Sequence, residues 1–298
     1  RTVTGVQTYA LPISENVVDK RVVSTVAPQS LFLLNNPFPI SMVPSLAERI
    51  IGNGFGSEEQ WILQAYVALY GRPPKMPINT AVYSPIYPTT DKMFEDLGQA
   101  YKKAVRAFAD AGCRYLQLDE VFIAMLCDDK YRAQMTARGD DPQKLGPLYA
   151  DLINTAMSDI PSDMTVTMHL CRGNYKSTFM GAGGYDAEAD VLFNQTNVHG
   201  YFMEYDTERA GGFEPLRLVP KGKTVVLGLV TSKTGALESK DTIKRRIDEA
   251  AKFAPLDQLC LSPQCGFAST EEGNALSEDE QWAKLRMIVE VADEVWGR

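Results

Sequence analysis

Residues 78 to 298 alternate between short apolar runs and longer amphipathic stretches, and this alternation limits the folds open to the chain. Five runs read as strands: RYLQLDE (114–120), MTVTMHL (164–170), GYFMEYD (200–206), TVVLGLVT (224–231) and DQLCLSPQCG (257–266). Helical periodicity marks four further stretches: 90–112, 141–161, 239–255 and 277–297. Repeated strand–helix units predict parallel strands joined by right-handed crossovers. The region is therefore expected to be α/β.

The positions of the polar residues favour a barrel over an open sheet. No glycine-rich phosphate loop follows any of the strands, which disfavours a dinucleotide-binding fold. Acidic, histidine and cysteine residues instead lie at the carboxyl ends of several strands, as is typical of (β/α)₈ barrels. Only five strands are evident, whereas a complete barrel has eight. The sequence thus predicts a partial TIM-type barrel of about five parallel strands, preceded by a small α-helical segment.

The first 77 residues differ in character from the rest. They predict two helices and no strands, one ending near Gly52 and Gly54, the other beginning after Ser57. The motifs PQSLFLLNNPF and AYVALYGRPP resemble a helical domain of large bacterial proteins often linked to cytochromes. We therefore expect two domains, 1–77 and 78–298. The resemblance of about residues 15–77 to an unrelated protein predicts a chimeric chain.

Composition excludes several classes of function. The net charge is −8 among 298 residues, without a basic cluster, which argues against nucleic acid and against anionic membrane surfaces. No apolar stretch approaches the roughly 20 residues of a membrane span. The first residues lack the apolar core of a secretory signal. Five cysteines, an odd number, make a disulfide framework improbable, so we expect a cytoplasmic protein.

A histidine and a cysteine stand two residues apart where the second strand ends. Residues two apart on a strand point to the same face, so His169 and Cys171 offer a nitrogen and a sulfur donor on one side. Such donors suit zinc. An isolated pair of this kind is also compatible with a packed histidine beside an inert buried cysteine.

Two further strand ends carry suitable ligands. Glu204 ends the third strand and Cys265 follows the fifth, so on a barrel top they are expected to converge with His169 and Cys171. Two thiolates would make zinc a poor hydrolytic centre. The same ion is well suited to bind a third thiolate by lowering the pKa of a substrate thiol.

Residues 78 to 298 resemble the C-terminal catalytic barrel of cobalamin-independent methionine synthase, and especially its shorter relatives. The motifs that carry the resemblance are YLQLDE, MHLCRGNY, YFMEYDTERAGGFEPL, LGLVTSKTGALESKD and LCLSPQCGFAST. The family implies a Zn²⁺ bound by His169, Cys171, Glu204 and Cys265. It implies homocysteine and methyltetrahydrofolate, or another methyl donor, as substrates and methionine as product. Asp119 takes the position that holds the substrate ammonium group, and its neighbour Glu120 is a second candidate substrate ligand.

Two departures from the family keep an alternative open. Lys233 lies near the position where longer members carry a proton-donating histidine, so we consider it a candidate catalytic residue. The family's first strands, which also contact homocysteine, have no counterpart in residues 1–77. The alternative is a non-catalytic remnant that retains a zinc site. A related barrel decarboxylase is disfavoured, because that chemistry does not require this ligand set.

The remaining cysteine, histidine and charged residues are predicted to have structural roles. Cys113, Cys127 and Cys260 are predicted to be buried core residues, and the odd spacing of Cys260 from Cys265 predicts that it points to the other face. His199 precedes its strand and is expected at the opposite end of the barrel. Asp206 and Arg209 are expected to form a surface ion pair of small energetic value, supporting the Glu204 loop. The alternative is that the pair contacts the metal ligands and supports them from outside.

Overall fold

The computed structural model describes residue 87 and residues 89–137, 139–269 and 273–297. The helices predicted for residues 1–77 lie outside these residues, and the boundary at residue 78 stays a prediction. Within the described residues the chain is α/β, with one sheet of five parallel strands, so the predicted fold class is confirmed.

The strands pair with one another in the order in which they occur along the chain. They are β1 (Tyr115–Glu120), β2 (Thr165–Leu170), β3 (Gly200–Glu204), β4 (Thr224–Val230) and β5 (Leu259–Pro263). Every neighbouring pair is parallel. A doubly wound sheet reverses its strand order at one point, whereas a barrel does not. The unbroken order is therefore the barrel arrangement predicted from sequence.

Helices follow most of the strands. They are α1 (Thr90–Asp110), α2 (Phe122–Leu126), α3 (Asp129–Ala137), α4 (Pro142–Met157), α5 (Lys240–Ala250) and α6 (Glu278–Trp296). The side chain of Asp141 caps α4, and a reciprocal capping box of Ser277 and Glu280 begins α6. No helix in the described part of the chain is long and apolar enough to cross a membrane.

Shorter helical segments lie between β2 and β5. Single 3₁₀ turns cover Tyr185–Glu188, Glu208–Ala210, Glu214–Leu218 and Leu256–Gln258, and a π-helical turn covers Val191–Gln195. A helical stretch was expected around Cys127, at the end of α2, but α3 and the 3₁₀ and π segments were not predicted. The 3₁₀ and π segments are too short to show the recurrence of apolar residues that marks a helix, and α3 buries only Met135.

The two faces of the sheet have different environments. Alternate residues such as Val166, Met168 and Leu170 of β2 join the main core with the helices. The opposite, inner face carries a lateral row set by the strand register: Asp119, His169, Phe202, Val226 and Cys260. Phe202, Val226 and Cys260 of this row pack together below the strand ends, whereas Asp119 and His169 contact each other through polar atoms.

The register corrects the predicted orientation of Cys260. Cys260 is buried, as predicted, but it packs with Phe202 and Val226 on the inner face, the face that bears Glu204. The parity argument failed because β5 ends at Pro263, and the chain turns before it reaches Cys265. His199 lies before β3 and contacts the backbone of Val166, which agrees with its predicted structural role.

The buried carboxyl group of Glu188, which ends the 3₁₀ turn at 185–188 and faces Arg132 of α3, predicts a pH dependence of stability. Burial raises the pKa of Glu188 to about 7, and the nearby Arg132, 3.4 Å away, only partly opposes it. An acid with a raised folded-state pKa binds more protons when folded, so stability falls as the pH rises from about 4.5 to about 7. We expect Glu188→Gln to remove this decline, up to about 3 kcal/mol.

Urea unfolding of the parent and of Glu188→Gln at pH 5 and pH 8 measures this difference. We expect the parent to lose more stability over that interval than Glu188→Gln, while the decline due to Glu120, whose pKa burial also raises to about 7, remains in both proteins. Parallel pH dependences in the two proteins would show that Glu188 titrates normally in the folded chain.

Candidate metal centre

Four potential metal ligands converge at the carboxyl edge of the sheet. His169 and Cys171 come from the end of β2, Glu204 is the last residue of β3, and Cys265 lies just beyond β5. One donor atom from each lies within 4.8 Å of the others. The structure thus brings together all four ligands predicted from sequence.

The spacing of the donor atoms fits a tetrahedral ion. Zinc–sulfur and zinc–nitrogen bonds of about 2.3 and 2.0 Å require neighbouring ligands about 3.3–3.8 Å apart. The Sγ atoms of Cys171 and Cys265 are 3.4 Å apart, and the Cys265 Sγ lies 3.8 Å from the His169 Nε2. His169 Nε2 lies 3.3 Å from the Glu204 Oε1. The 2.6 Å contact between Cys265 Sγ and that oxygen is shorter than these spacings and must lengthen when an ion binds.

Asp119 orients the histidine of this cluster. Its Oδ1 lies 2.8 Å from the Nδ1 of His169, which directs Nε2 toward the other donors. Burial alone would lower the pKa of His169, but hydrogen bonds to Asp119 and Glu204 outweigh it and raise the pKa well above the usual value. A carboxylate on the outer nitrogen of a metal-binding histidine fixes the ring and increases its basicity.

Glu204 is the most enclosed ligand, with 1% of its surface exposed. Burial raises its pKa, but the hydrogen bond and charge of His169, the charge of Lys233 and the Cys265 contact lower it to about 2. The Nη2 of Arg209 also lies 3.2 Å from the Oε2 of Glu204. The carboxylate is therefore ionised in the folded chain.

The ion pair of Asp206 and Arg209 is buried, so its predicted placement on the surface was wrong. The side chains are 5% and 9% exposed, and the Nη2 of Arg209 lies 3.0 Å from the Oδ2 of Asp206. Because Arg209 also contacts Glu204, the pair is in direct contact with a candidate ligand. This contact agrees with the alternative prediction, that the pair supports the metal ligands from outside.

The contact between the thiols of Cys171 and Cys265 shifts their pKa values in opposite directions. The hydrogen bond from Cys265 lowers the pKa of Cys171, and that same contact together with burial raises the pKa of Cys265. The backbone N–H of Gly173 also donates to the Cys171 sulfur over 3.4 Å. Cys171 is therefore the thiol more easily ionised before any cation is present.

Two sequence-predicted residues lie outside the four-ligand cluster. Both carboxylate oxygens of Glu120 accept backbone N–H groups at the start of α2, from Phe122 and Ile123 at 2.7 and 2.8 Å. Burial raises the pKa of Glu120 to about 7 against these hydrogen bonds. Lys233 is buried, and its Nζ lies 3.3 Å from the Oε1 of Gln264. Their roles in substrate binding and catalysis stay predictions.

Sequence reasoning missed two residues that hold Glu204 in place. The hydroxyl of Tyr185 accepts the backbone N–H of Glu204 at 3.0 Å and also contacts its carbonyl oxygen. Arg172 stacks on the Tyr185 ring, and its backbone N–H reaches the Glu204 Oε1 at 3.4 Å. Both residues lie between β2 and β3. Tyr185 reads as an ordinary core residue, whereas Arg172 directly follows the predicted ligand Cys171, and this position was a signal that could have found it.

The protein-family comparison matches residues 87–294 to the catalytic domain of cobalamin-independent synthase. The chain belongs to this family. The resemblance seen in the sequence motifs is thereby confirmed, and the matched interval contains all five strands and all four candidate ligands. Membership in the cobalamin-independent synthase family supports a metal at this cluster, and the donor set is chemically suited to hold one.

Relatives in the synthase family include two uncharacterized proteins of Bacillus subtilis. YxjH is 54% identical over 212 residues, which cover 71% of this chain and 56% of YxjH. YxjG is 57% identical over 202 residues, which cover 67% of this chain and 53% of YxjG. The chain thus spans about half the length of these curated relatives.

A solved structure shows the same fold. It is a putative vitamin-B12 independent methionine synthase from Listeria monocytogenes, 40% identical, with a TM-score of 0.57. The match covers 78% of this chain and 62% of the Listeria chain. The sequential parallel sheet is therefore the catalytic-domain architecture of the family.

Proposed function

We propose that this chain performs zinc-dependent methyl transfer from a methyltetrahydrofolate to the thiol of homocysteine, giving methionine. The observation that carries the proposal is the cluster of two thiols, one imidazole and one ionised carboxylate at the carboxyl edge of the sheet. Family membership supports it, as does the methionine synthase assignment of the Listeria relative. A cytoplasmic location, where thiols stay reduced, belongs to the same proposal.

A zinc ion held by His169, Cys171, Glu204 and Cys265 would supply a Lewis acid that lowers the pKa of the homocysteine thiol. Asp119 offers a negative charge beside this centre for the substrate ammonium group. In the transfer the donor's N–CH₃ bond breaks and the S–CH₃ bond forms. The donor nitrogen then gains a proton, for which the buried ammonium of Lys233 is the proposed source.

The test uses the full chain, purified with zinc, and measures bound metal and methionine formed from homocysteine and a methyltetrahydrofolate. We expect about one zinc per chain, as four ligands predict, and methionine that depends on both substrates. A chain that binds zinc but forms no methionine would support the non-catalytic alternative. A chain that binds no zinc would contradict both.

The assignment of Asp119 predicts a selective loss of homocysteine affinity. Asp119→Asn keeps an oxygen acceptor for His169 but removes the charge that faces the substrate ammonium group. We expect homocysteine binding to weaken about 10-fold, the size of one charge-assisted hydrogen bond. Zinc stays bound when it is supplied in excess, which is needed because asparagine supports His169 less strongly than the carboxylate does. Calorimetric titration of the zinc-loaded proteins measures the difference.

Glu120→Gln provides the comparison, because it neutralises the adjacent carboxylate without touching His169. A loss confined to Asp119→Asn assigns the ammonium contact to Asp119. Equal losses in both variants would make Glu120 a substrate ligand as well, and a loss confined to Glu120→Gln would remove Asp119 from the substrate site.

A further inference from the structure

The two carboxylate oxygens of Glu204 have different surroundings. Oε1 faces the other candidate ligands, 3.3 Å from the His169 Nε2 and 2.6 Å from the Cys265 Sγ. Oε2 faces away from them and accepts the Nη2 of Arg209 at 3.2 Å. Only one oxygen of this carboxylate is therefore directed at the donor cluster.

The guanidinium of Arg209 is itself held on several sides. Its Nε and Nη2 lie 3.3 and 3.0 Å from the Oδ2 of Asp206. Its Nη1 donates to the backbone oxygen of Gly181 at 3.1 Å, and the ring of Phe179 covers the guanidinium at 4.3 Å. A planar group with this many partners has little freedom to turn. The contact to Glu204 is thus fixed by the surrounding loops.

We propose that Arg209 is a positioning residue that restricts Glu204 to one-oxygen binding of the metal ion and thereby sets the affinity of the site. The inference rests on the metal centre of the proposed function. Without Arg209, Oε2 is free to turn toward the ion, and the carboxylate loses its fixed angle. Partners that orient a ligand in this way typically contribute about 10–100-fold to metal affinity.

The experiment compares zinc affinity in the parent, Arg209→Met and Arg209→Lys, each as the full chain, by competition with a chromophoric chelator. We expect about 10–100-fold weaker binding in Arg209→Met, with part of the loss restored by the single ammonium donor of Arg209→Lys. The same proteins loaded with Co²⁺ report ligand number through their visible absorption. The parent should give the intense bands of a four-coordinate ion, and Arg209→Met weaker bands.

Arg246→Met is the matched control. Arg246 is a partly buried arginine that donates to the backbone oxygens of Tyr205 and Asp206 and packs near the Phe213 ring, without contacting the Glu204 carboxylate. We expect it to change thermal stability but to leave zinc affinity and the cobalt spectrum unchanged. The control therefore separates loss of an arginine from loss of this particular contact.

The outcomes separate the role of Arg209 from the existence of the metal centre. A parent that fails to bind zinc would contradict the metal centre itself. A parent that binds zinc, with Arg209→Met of equal affinity and equal cobalt spectrum, would overturn only the role of Arg209. An equal loss in Arg246→Met would also overturn it. If Arg209→Met does not fold, the uncharged Arg209→Gln takes its place, and unchanged affinity and spectrum in that variant would do the same.

Discussion

Replacing Cys265 with serine is expected to remove most of the bound zinc. Its thiol lies within contact distance of the three other donors, and a hydroxyl is a poor replacement for a thiolate on zinc. We expect the metal content to fall from about one ion per chain to about a tenth of that or less after dialysis, and methionine formation to fall with it. Metal analysis of the purified proteins measures the change.

Cys260→Ser serves as the control, because Cys260 is equally buried and belongs to β5 but packs with Phe202 and Val226. Both substitutions introduce a hydroxyl into a buried position, so both are expected to lower stability. Only Cys265→Ser should lose zinc. Unchanged metal content in Cys265→Ser, or equal losses in the two variants, would remove Cys265 from the ligand set.

Removing the partner of a buried lysine should cost about 3 kcal/mol of stability. Lys284 of α6 is completely buried, and its Nζ bonds the Glu238 Oε2 at 2.8 Å and the backbone oxygen of Ala236 at 2.6 Å. Glu238 also accepts the backbone N–H of Thr231, so it ties both ends of the loop that carries Lys233. Glu238→Ala leaves this buried ammonium group bonded to the Ala236 carbonyl but without the Glu238 carboxylate that balances its charge.

We expect the melting temperature of Glu238→Ala to fall by roughly 6–12 °C for a domain of this size. The double variant Glu238→Gln with Lys284→Met should recover most of that loss, because it removes both charges and keeps an acceptor for Thr231. Thermal unfolding of the parent and both variants gives the comparison. A double variant as unstable as Glu238→Ala would show that the loop needs the charge pair itself.

The strands and the four candidate ligands were predictable because both follow from local rules. The predicted run 164–170 differs from β2 by one residue, and strand periodicity placed His169 and Cys171 on one face. Polar residues at the ends of parallel strands meet at one edge of a sheet, which brought Glu204 and Cys265 to the same place.

The surroundings of the ligands were not predictable, because they depend on contacts between distant segments. Tyr185 reads as an ordinary core residue, and nothing in its neighbourhood indicates that its hydroxyl binds the backbone of Glu204. The spacing of Asp206 and Arg209 indicated an ion pair, but spacing alone does not show burial. Cys260 was misplaced because strand parity does not continue beyond Pro263.

The origin of the ligands in separate strands has a consequence for the order of assembly. His169 and Cys265 are 96 residues apart in the chain, and Glu204 lies between them on a third strand. In an unfolded chain only His169 and Cys171 are held near each other by the chain itself, and bringing Cys265 to them carries the entropic cost of closing a long loop. The complete set exists only after β2 to β5 have paired. Metal uptake should therefore be a late event, governed by the rate at which the sheet forms.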